Sequence, residues 1–180
     1  MDIEITRWIN SFAGTNLIFD SVMIRVTQFG LPLIVAFVIL QWWSVLDRTH
    51  IRHTDISAGL SLLLGLAINQ LILIFVHRLR PYDAGISHLL ISRSSDWSFP
   101  SDHATASISV ASAFFIQRVW GRGLLIFIAA LLVCLSRVYV GVHYTSDVFG
   151  GAISGALAAA IVYCLYKEGS ALDRFMTKIL

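Results

Sequence analysis

Hydrophobic residues in this chain come in long stretches separated by short polar punctuation. A hydrocarbon core about 30 Å thick takes about 20 mostly apolar helical residues to cross. Five stretches suit that role: approximately Thr27 to Leu46, Ile56 to Val76, Ser101 to Gln117, Gly123 to Tyr139 and Thr145 to Leu165. The first 25 residues are more mixed. Ile5, Trp8, Ile9, Phe12 and Leu17 recur at near-helical spacing among Asp2, Glu4, Arg7 and Asn10, which predicts an amphipathic helix lying in the membrane interface over residues 1–25. A short sixth span over Leu17 to Val26 is the poorer choice, because Asp20 and Arg25 interrupt it. The predicted fold class is therefore all-α: a polytopic transmembrane helix bundle of five or six spans with an N-terminal amphipathic helix. No repeat, linker or low-complexity segment divides the chain, so residues 1–180 are expected to form one membrane-embedded domain.

Composition reinforces the pattern. The chain is 57% hydrophobic and 13% charged with a mean hydropathy of +0.76, against roughly 45–50% apolar and 25% charged in globular domains. Asp2, Glu4 and Arg7 sit where a secretory signal would carry its basic and apolar regions, so no cleavage is expected. Cys134 and Cys164 both lie in apolar segments, where cysteine acts as a small hydrophobe and reports nothing about redox compartment. A formal charge of +2 is too small to suggest a nucleic-acid partner. Where the basic residues fall matters more. One side of the predicted bundle collects Arg48, Arg52, Arg118, Arg122, Lys167, Arg174 and Lys178, and the other holds Arg7, Arg25, Arg78 and Arg93 once Arg80 and Arg137, candidate phosphate ligands, are set aside. The richer side is expected to be cytoplasmic.

The poorer side gathers a polar constellation. Alternating spans bring together the end of the second, the start of the third, the end of the fourth and the start of the fifth, which carry Arg80-Pro81, Pro100-Ser101-Asp102-His103, Ser136-Arg137, and His143 with Asp147. A run of about 20 residues separates Arg80 from Ser101, and loops of that length are usually functional. Asp147 follows His143 by four residues, so on a helix the carboxylate can accept a hydrogen bond from one ring nitrogen and leave the other as a nucleophile. That spacing also suits a buried polar pair between helices, or a metal site. Arg80 and Arg137 offer rigid forks for phosphate oxygens, although arginines at span ends also snorkel to headgroups. Ser101 and Asp102 open a helix whose first-turn N–H groups attract an anion, and His103 beside them is suited to protonate a leaving group. Asp102 would repel a phosphate; it either caps the helix or holds His103 or Arg80. Thr105, Ser107 and Ser109 are assigned to packing, as is the small-residue stripe of Gly150, Gly151, Ser154 and Gly155.

These residues resemble the phosphatidic acid phosphatase type 2 superfamily, whose three signatures correspond here to Arg80-Pro81, to Pro100-Ser101-Asp102-His103, and to Ser136-Arg137 through His143 to Asp147. The resemblance covers roughly residues 69–155. Two positions depart from it: Leu73 stands where the family usually has lysine, and Asp102 where glycine is usual. His77 and Arg78 are the nearest basic residues to replace the lysine, and Arg78 joins the predicted phosphate ligands. The Ser-Asp-His form of the second signature is similar to bacterial undecaprenyl-diphosphate phosphatases. The resemblance implies an integral enzyme of the inner (plasma) membrane that hydrolyses the terminal phosphate of an isoprenoid or phospholipid phosphate, with no metal or other cofactor. His143 would attack phosphorus, Asp147 orient it and His103 donate a proton, while Arg80, Arg137, Ser101 and Asp102 cradle the phosphate at an extracytoplasmic site. Phosphatidylglycerophosphate, phosphatidate or another polyprenyl phosphate are alternative substrates. A non-hydrolytic lipid-phosphate binder or transporter is the alternative of another class.

Overall fold

The computed structural model describes residues 1–178. It contains seven helices and, among the described residues, no strand: α1 (Asp2–Asn10), α2 (Leu17–Gln41), α3 (Arg48–Leu73), α4 (Asp102–Ile116), α5 (Trp120–Tyr139), α6 (Thr145–Leu165) and α7 (Ala171–Thr177). Four of them, α2, α3, α5 and α6, are long and apolar enough to cross a membrane. The fifth expected span is α4, whose 15 residues rise only about 22 Å. It is the central helix, packed against α3, α5 and α6.

The burial pattern is that of a membrane protein. Leu33, Leu63, Ile153 and Leu157 face outward, while Ser57, Ser61, Asn69, Thr105, Ser107 and Ser109 are buried. Within a bilayer the polar groups seek one another, and small residues let helix backbones approach closely. The glycines of α6 show why: a Cβ on Gly155 would lie 2.4 Å from the Thr105 carbonyl oxygen, and one on Gly151 would lie 2.5 Å from that of Ser101. Ser107 and Ser109 donate to carbonyls of their own helix, in keeping with a packing role. Thr105 does more, accepting a hydrogen bond from Asn69 at 2.8 Å.

Two helix boundaries differ from expectation for one reason. The interfacial segment expected over 1–25 divides: α1 ends at Asn10, and Leu17 begins a single 25-residue helix whose N-cap Asn16 receives the N–H groups of Ile18 and Phe19. Asp20, which argued against a span here, is buried and accepts from Tyr139 Oη at 2.7 Å and from the Gly14 N–H at 3.1 Å. Likewise α3 starts at Arg48, eight residues before the expected Ile56. Its polar first turns are covered by α7, with His53 Nδ1 2.8 Å from Asp173 and Arg52 donating to the Thr177 carbonyl. In both places tertiary partners satisfy side chains that the linear pattern assigns to water.

The long connection from α3 to α4 folds over the polar end of the bundle. Asn10, at the end of α1, pins it by donating to the carbonyls of His88 and Tyr139 while accepting from the His88 N–H. Gly141, at φ +82°, makes the α5–α6 turn against this loop; a Cβ there would lie 2.4 Å from the His88 carbonyl oxygen, so glycine is required.

Candidate active site

A cavity of about 150 Å³ opens at this end, lined by Leu73, Arg80, Ser94, Asp96, Trp97, Pro100, Asp102, His103, Arg137 and His143. Five predicted site residues thus share one chamber: Arg80, Asp102, His103, Arg137 and His143. They come from the α3–α4 loop, the first turn of α4, the last turn of α5 and the α5–α6 turn.

His143 is almost wholly buried. Its Nδ1 lies 2.8 Å from the Ser98 carbonyl oxygen, an acceptor only, so Nδ1 carries the proton and Nε2 keeps its lone pair. Asp147 Oδ2 is 3.6 Å from Nδ1, beyond hydrogen-bond reach. The expected direct orienting bond from Asp147 is therefore replaced by a backbone carbonyl. The carboxylate acts one step behind: Ser98 Oγ donates to it at 2.5 Å and the Tyr144 N–H at 2.8 Å. Asp147 thereby caps α6 and holds Ser98, and with it the carbonyl that orients His143. Burial pushes the His143 pKa down to about 4; the nearby Arg137 and Arg80 act with burial, Asp147 against it. The imidazole is neutral near pH 7.

Arg80 is 5% exposed and already engaged. Its Nη1 donates to the Val142 carbonyl at 2.9 Å and lies 3.4 Å from His143 Nε2, while Nη2 meets Asp96 Oδ1 at 2.9 Å. This places a guanidinium beside the unprotonated nitrogen of His143. Burial pushes the Asp96 carboxyl up, but hydrogen bonds from Ser94 and Arg80 and the Arg80 charge outweigh it and leave it below the usual range. Arg137 donates Nη1 to Thr27 at 2.8 Å, and its Nε is buried without a partner. An anion entering the cavity meets one guanidinium held by a carboxylate and another with an unspent donor.

Three predicted phosphate contacts come out differently. Arg78 does not line the cavity. It lies behind it, donating Nη1 to Asp147 and Ser146 and Nη2 to Asp2, with its guanidinium 3.7 Å from the centre of the Tyr144 ring. The buried Asp147 charge draws the neighbouring guanidinium inward. Ser101 also lies outside the lining, and its N–H is spent on the Asp147 carbonyl at 3.0 Å. Asp102 reaches the cavity, yet it neither caps α4 nor holds His103 or Arg80. It accepts from Asn69 at 2.7 Å, and Asn69 is tied in turn to Thr105. Leu73 stands in the cavity wall, so the departure from the usual lysine alters the chamber itself.

Ser98, Asn69, Asp96 and Asp2 escaped the sequence reading. Asn69 alone carried a usable signal, as an amide inside an apolar span. The other three act through loop and interface geometry.

Comparisons with known proteins place the chain as a whole. The model of the PAP2 superfamily matches residues 56–170. Undecaprenyl-diphosphatase BcrC of Bacillus subtilis is 32% identical over 100% of this chain and 90% of its own length. The putative undecaprenyl-diphosphatase YbjG of Escherichia coli is 32% identical over 72% of this chain and 65% of its own. Among solved structures, Aquifex aeolicus LpxE and a PAP2-type phosphatidylglycerolphosphate phosphatase from Bacillus subtilis each superpose with a TM-score of 0.69 at 22% identity. They cover 89% and 94% of this chain, and 93% and 86% of their own. With the family model matching well over half its length and a relative matching all of it, this chain belongs to the PAP2 superfamily and is a membrane-embedded phosphatase.

Proposed function

We propose that this phosphatase removes the terminal phosphate of undecaprenyl diphosphate through a phosphohistidine, at a site on the extracytoplasmic face of the plasma membrane. One observation carries the mechanism: His143 Nδ1 is committed to the Ser98 carbonyl, which leaves Nε2 unprotonated in the cavity 3.4 Å from Arg80 Nη1. The full-length match to an undecaprenyl-diphosphatase supports the substrate. The excess of Lys and Arg at the opposite end supports the orientation.

In the first half-reaction His143 Nε2 bonds to the terminal phosphorus as the bond to the bridging oxygen breaks. His103, whose pKa burial and the charges of Arg137, His143 and Arg80 push down to about 3, takes up a proton as the anionic diphosphate binds and gives it to the departing lipid monophosphate. Arg80 and Arg137 neutralise charge on the equatorial oxygens, and Asp147, 3.6 Å from Nδ1, balances the positive charge that develops on the ring. In the second half-reaction His103 takes a proton from water, whose oxygen bonds to phosphorus. The N–P bond breaks, and inorganic phosphate and neutral His143 are restored. No step calls on a metal.

The test is phosphate release by purified protein from undecaprenyl diphosphate, with phosphatidylglycerophosphate in parallel, in excess chelator and again with His143→Ala. Chelator-resistant release, faster from the diphosphate and lost in the variant, is expected. Faster release from phosphatidylglycerophosphate would overturn the substrate, and loss of release in chelator the metal-free mechanism. No release from either lipid would favour a lipid-phosphate binder.

A further inference from the structure

At the end of the bundle away from the catalytic cavity, a larger groove of about 390 Å³ opens between α2 and α3. It is lined by Val35, Val38, Ile39, Trp42, Trp43, Asp55, Ile56, Ala58, Gly59, Leu62 and Val110. Asp55 is the only charged residue in this lining. It is 7% exposed, and neither carboxylate oxygen has a hydrogen-bond partner. Burying a carboxylate unpaired is among the costlier things a fold can do, and ionisable groups inside membranes are kept for function.

The obvious internal partner is not used. Arg122 is close enough for its charge to reach Asp55, but it donates Nη2 to Ser44 at 2.9 Å, and its Nη1 is buried without an acceptor. Gln41 Nε2, next to Trp42 at the end of α2, is a second buried donor without an acceptor. Near the end of α2, Asp55 of α3 therefore has unspent acceptors, and Arg122 of α5 and Gln41 of α2 have unspent donors, beside a groove of carbon.

We propose that this groove binds a lipid whose headgroup carries a primary ammonium. Its N–H groups donate to Asp55, its acyl chain fills the apolar groove, and its phosphodiester oxygens accept from Arg122 and Gln41. Trp42 and Trp43 suit the assignment as residues that settle at headgroup level; the Trp42 ring already carries the Arg52 guanidinium 4.6 Å from its centre, which leaves the Trp43 indole for the lipid ammonium. The unspent acceptors of Asp55 specify a primary amine: a trimethylated ammonium has the same charge but no N–H to donate. This second lipid site is separate from the phosphatase chemistry, at the opposite end of the same bundle.

Gly59 supplies a clean probe. It lines the groove, and a Cβ added there meets nothing within 4 Å, so Gly59→Leu sends its branched side chain into the groove from an unobstructed Cβ. The experiment is the thermal midpoint of the full-length protein in mixed micelles containing phosphatidylethanolamine or phosphatidylcholine of identical chains, for wild type, Asp55→Asn and Gly59→Leu. Phosphatidylethanolamine is expected to raise the wild-type midpoint by at least about 3 °C over phosphatidylcholine, and each variant to lose that increment. Equal midpoints for wild type in the two lipids, or an increment that survives in either variant, would overturn the proposal. If Asp55→Asn does not fold, Gly59→Leu decides. The readout does not involve turnover, so the result stands whether or not the proposed phosphatase substrate is correct.

Discussion

Among the described residues the protein buries two histidine–aspartate pairs, one at each end of the bundle, and they differ in how fully the imidazole is bonded. At the end away from the cavity, His53 is saturated. Nδ1 meets Asp173 at 2.8 Å, Nε2 meets the Gln117 amide at 2.9 Å, and the Tyr166 ring stacks on the imidazole with centroids 4.9 Å apart. Tyr166 Oη and the Gly169 N–H also donate to Asp173. Every polar valence is spent on joining α3, α7 and the α4–α5 turn. At the cavity, His143 commits Nδ1 to a carbonyl, its Nε2 meets only Arg80 Nη1 at a long 3.4 Å, and its carboxylate stands one step back at 3.6 Å. The same two residue types make a clasp when both nitrogens are bonded. They make a reagent when one nitrogen is left facing an anion-binding chamber.

Substitutions at the two ends should separate these roles. His143→Ala should reduce turnover by about 10⁴-fold or more with little change in thermal midpoint, measured by phosphate release and by scanning fluorimetry on the same preparation. Asp147→Asn should cost less, about 10²-fold in kcat with KM nearly unchanged, because the amide oxygen still accepts from Ser98, whose carbonyl preserves the tautomer, while the charge and the Arg78 ion pair are lost. A loss as large as that of His143→Ala would mean that Asp147 orients the ring itself. At the opposite end, His53→Ala should leave kcat per folded molecule within about twofold and lower stability by about 3 kcal/mol, as expected when one partner of a buried polar pair is removed. An equilibrium denaturation curve reads this directly.

Acid sharpens the contrast further. Because the His143 pKa is depressed to about 4, the ring stays neutral, and Nε2 available, as pH falls from 7 to about 5. Below the unfolded value of about 6.5 the unfolded chain gains a proton that the folded chain refuses, so this residue's contribution to stability declines with acid. Imidazole ¹⁵N shifts of labelled protein, with His143→Ala for assignment, should show no titration of this ring near pH 6.5. The smallest effect expected is at the cavity wall, where Leu73→Lys adds a cation beside Arg80 and Arg137 and should lower KM a few-fold at unchanged kcat.

Arg78 shows where one-dimensional reading loses the site. As the arginine nearest the missing lysine it is a natural candidate for a phosphate ligand, yet it clamps Asp147 to Asp2 of α1. Asp2 is held in turn: burial raises its pKa, and hydrogen bonds from Arg78 and Ser146 with the Arg78 charge outweigh this and lower it. No spacing rule connects positions 2, 78 and 147. Asp147, four residues after His143 on an incipient helix, was legible because helix geometry fixes its neighbourhood. Ser98 was not, because its value lies in a carbonyl placed by a loop.

What the sequence determined by itself follows from rules that act along the chain. Apolar length set the spans, alternation of spans brought Arg80, His103, Arg137 and His143 to one end, and their residue types named the chemistry. Tertiary structure alone decided which donors and acceptors those side chains spend on one another. It gave Nδ1 of His143 to Ser98, turned Arg78 to Asp147 and Asp2, and left the Asp55 carboxylate without a hydrogen-bond partner. Hydrogen bonds are short-ranged and directional, so which of several competing partners each group takes depends on distances of a few tenths of an ångström, set only once the helices have packed.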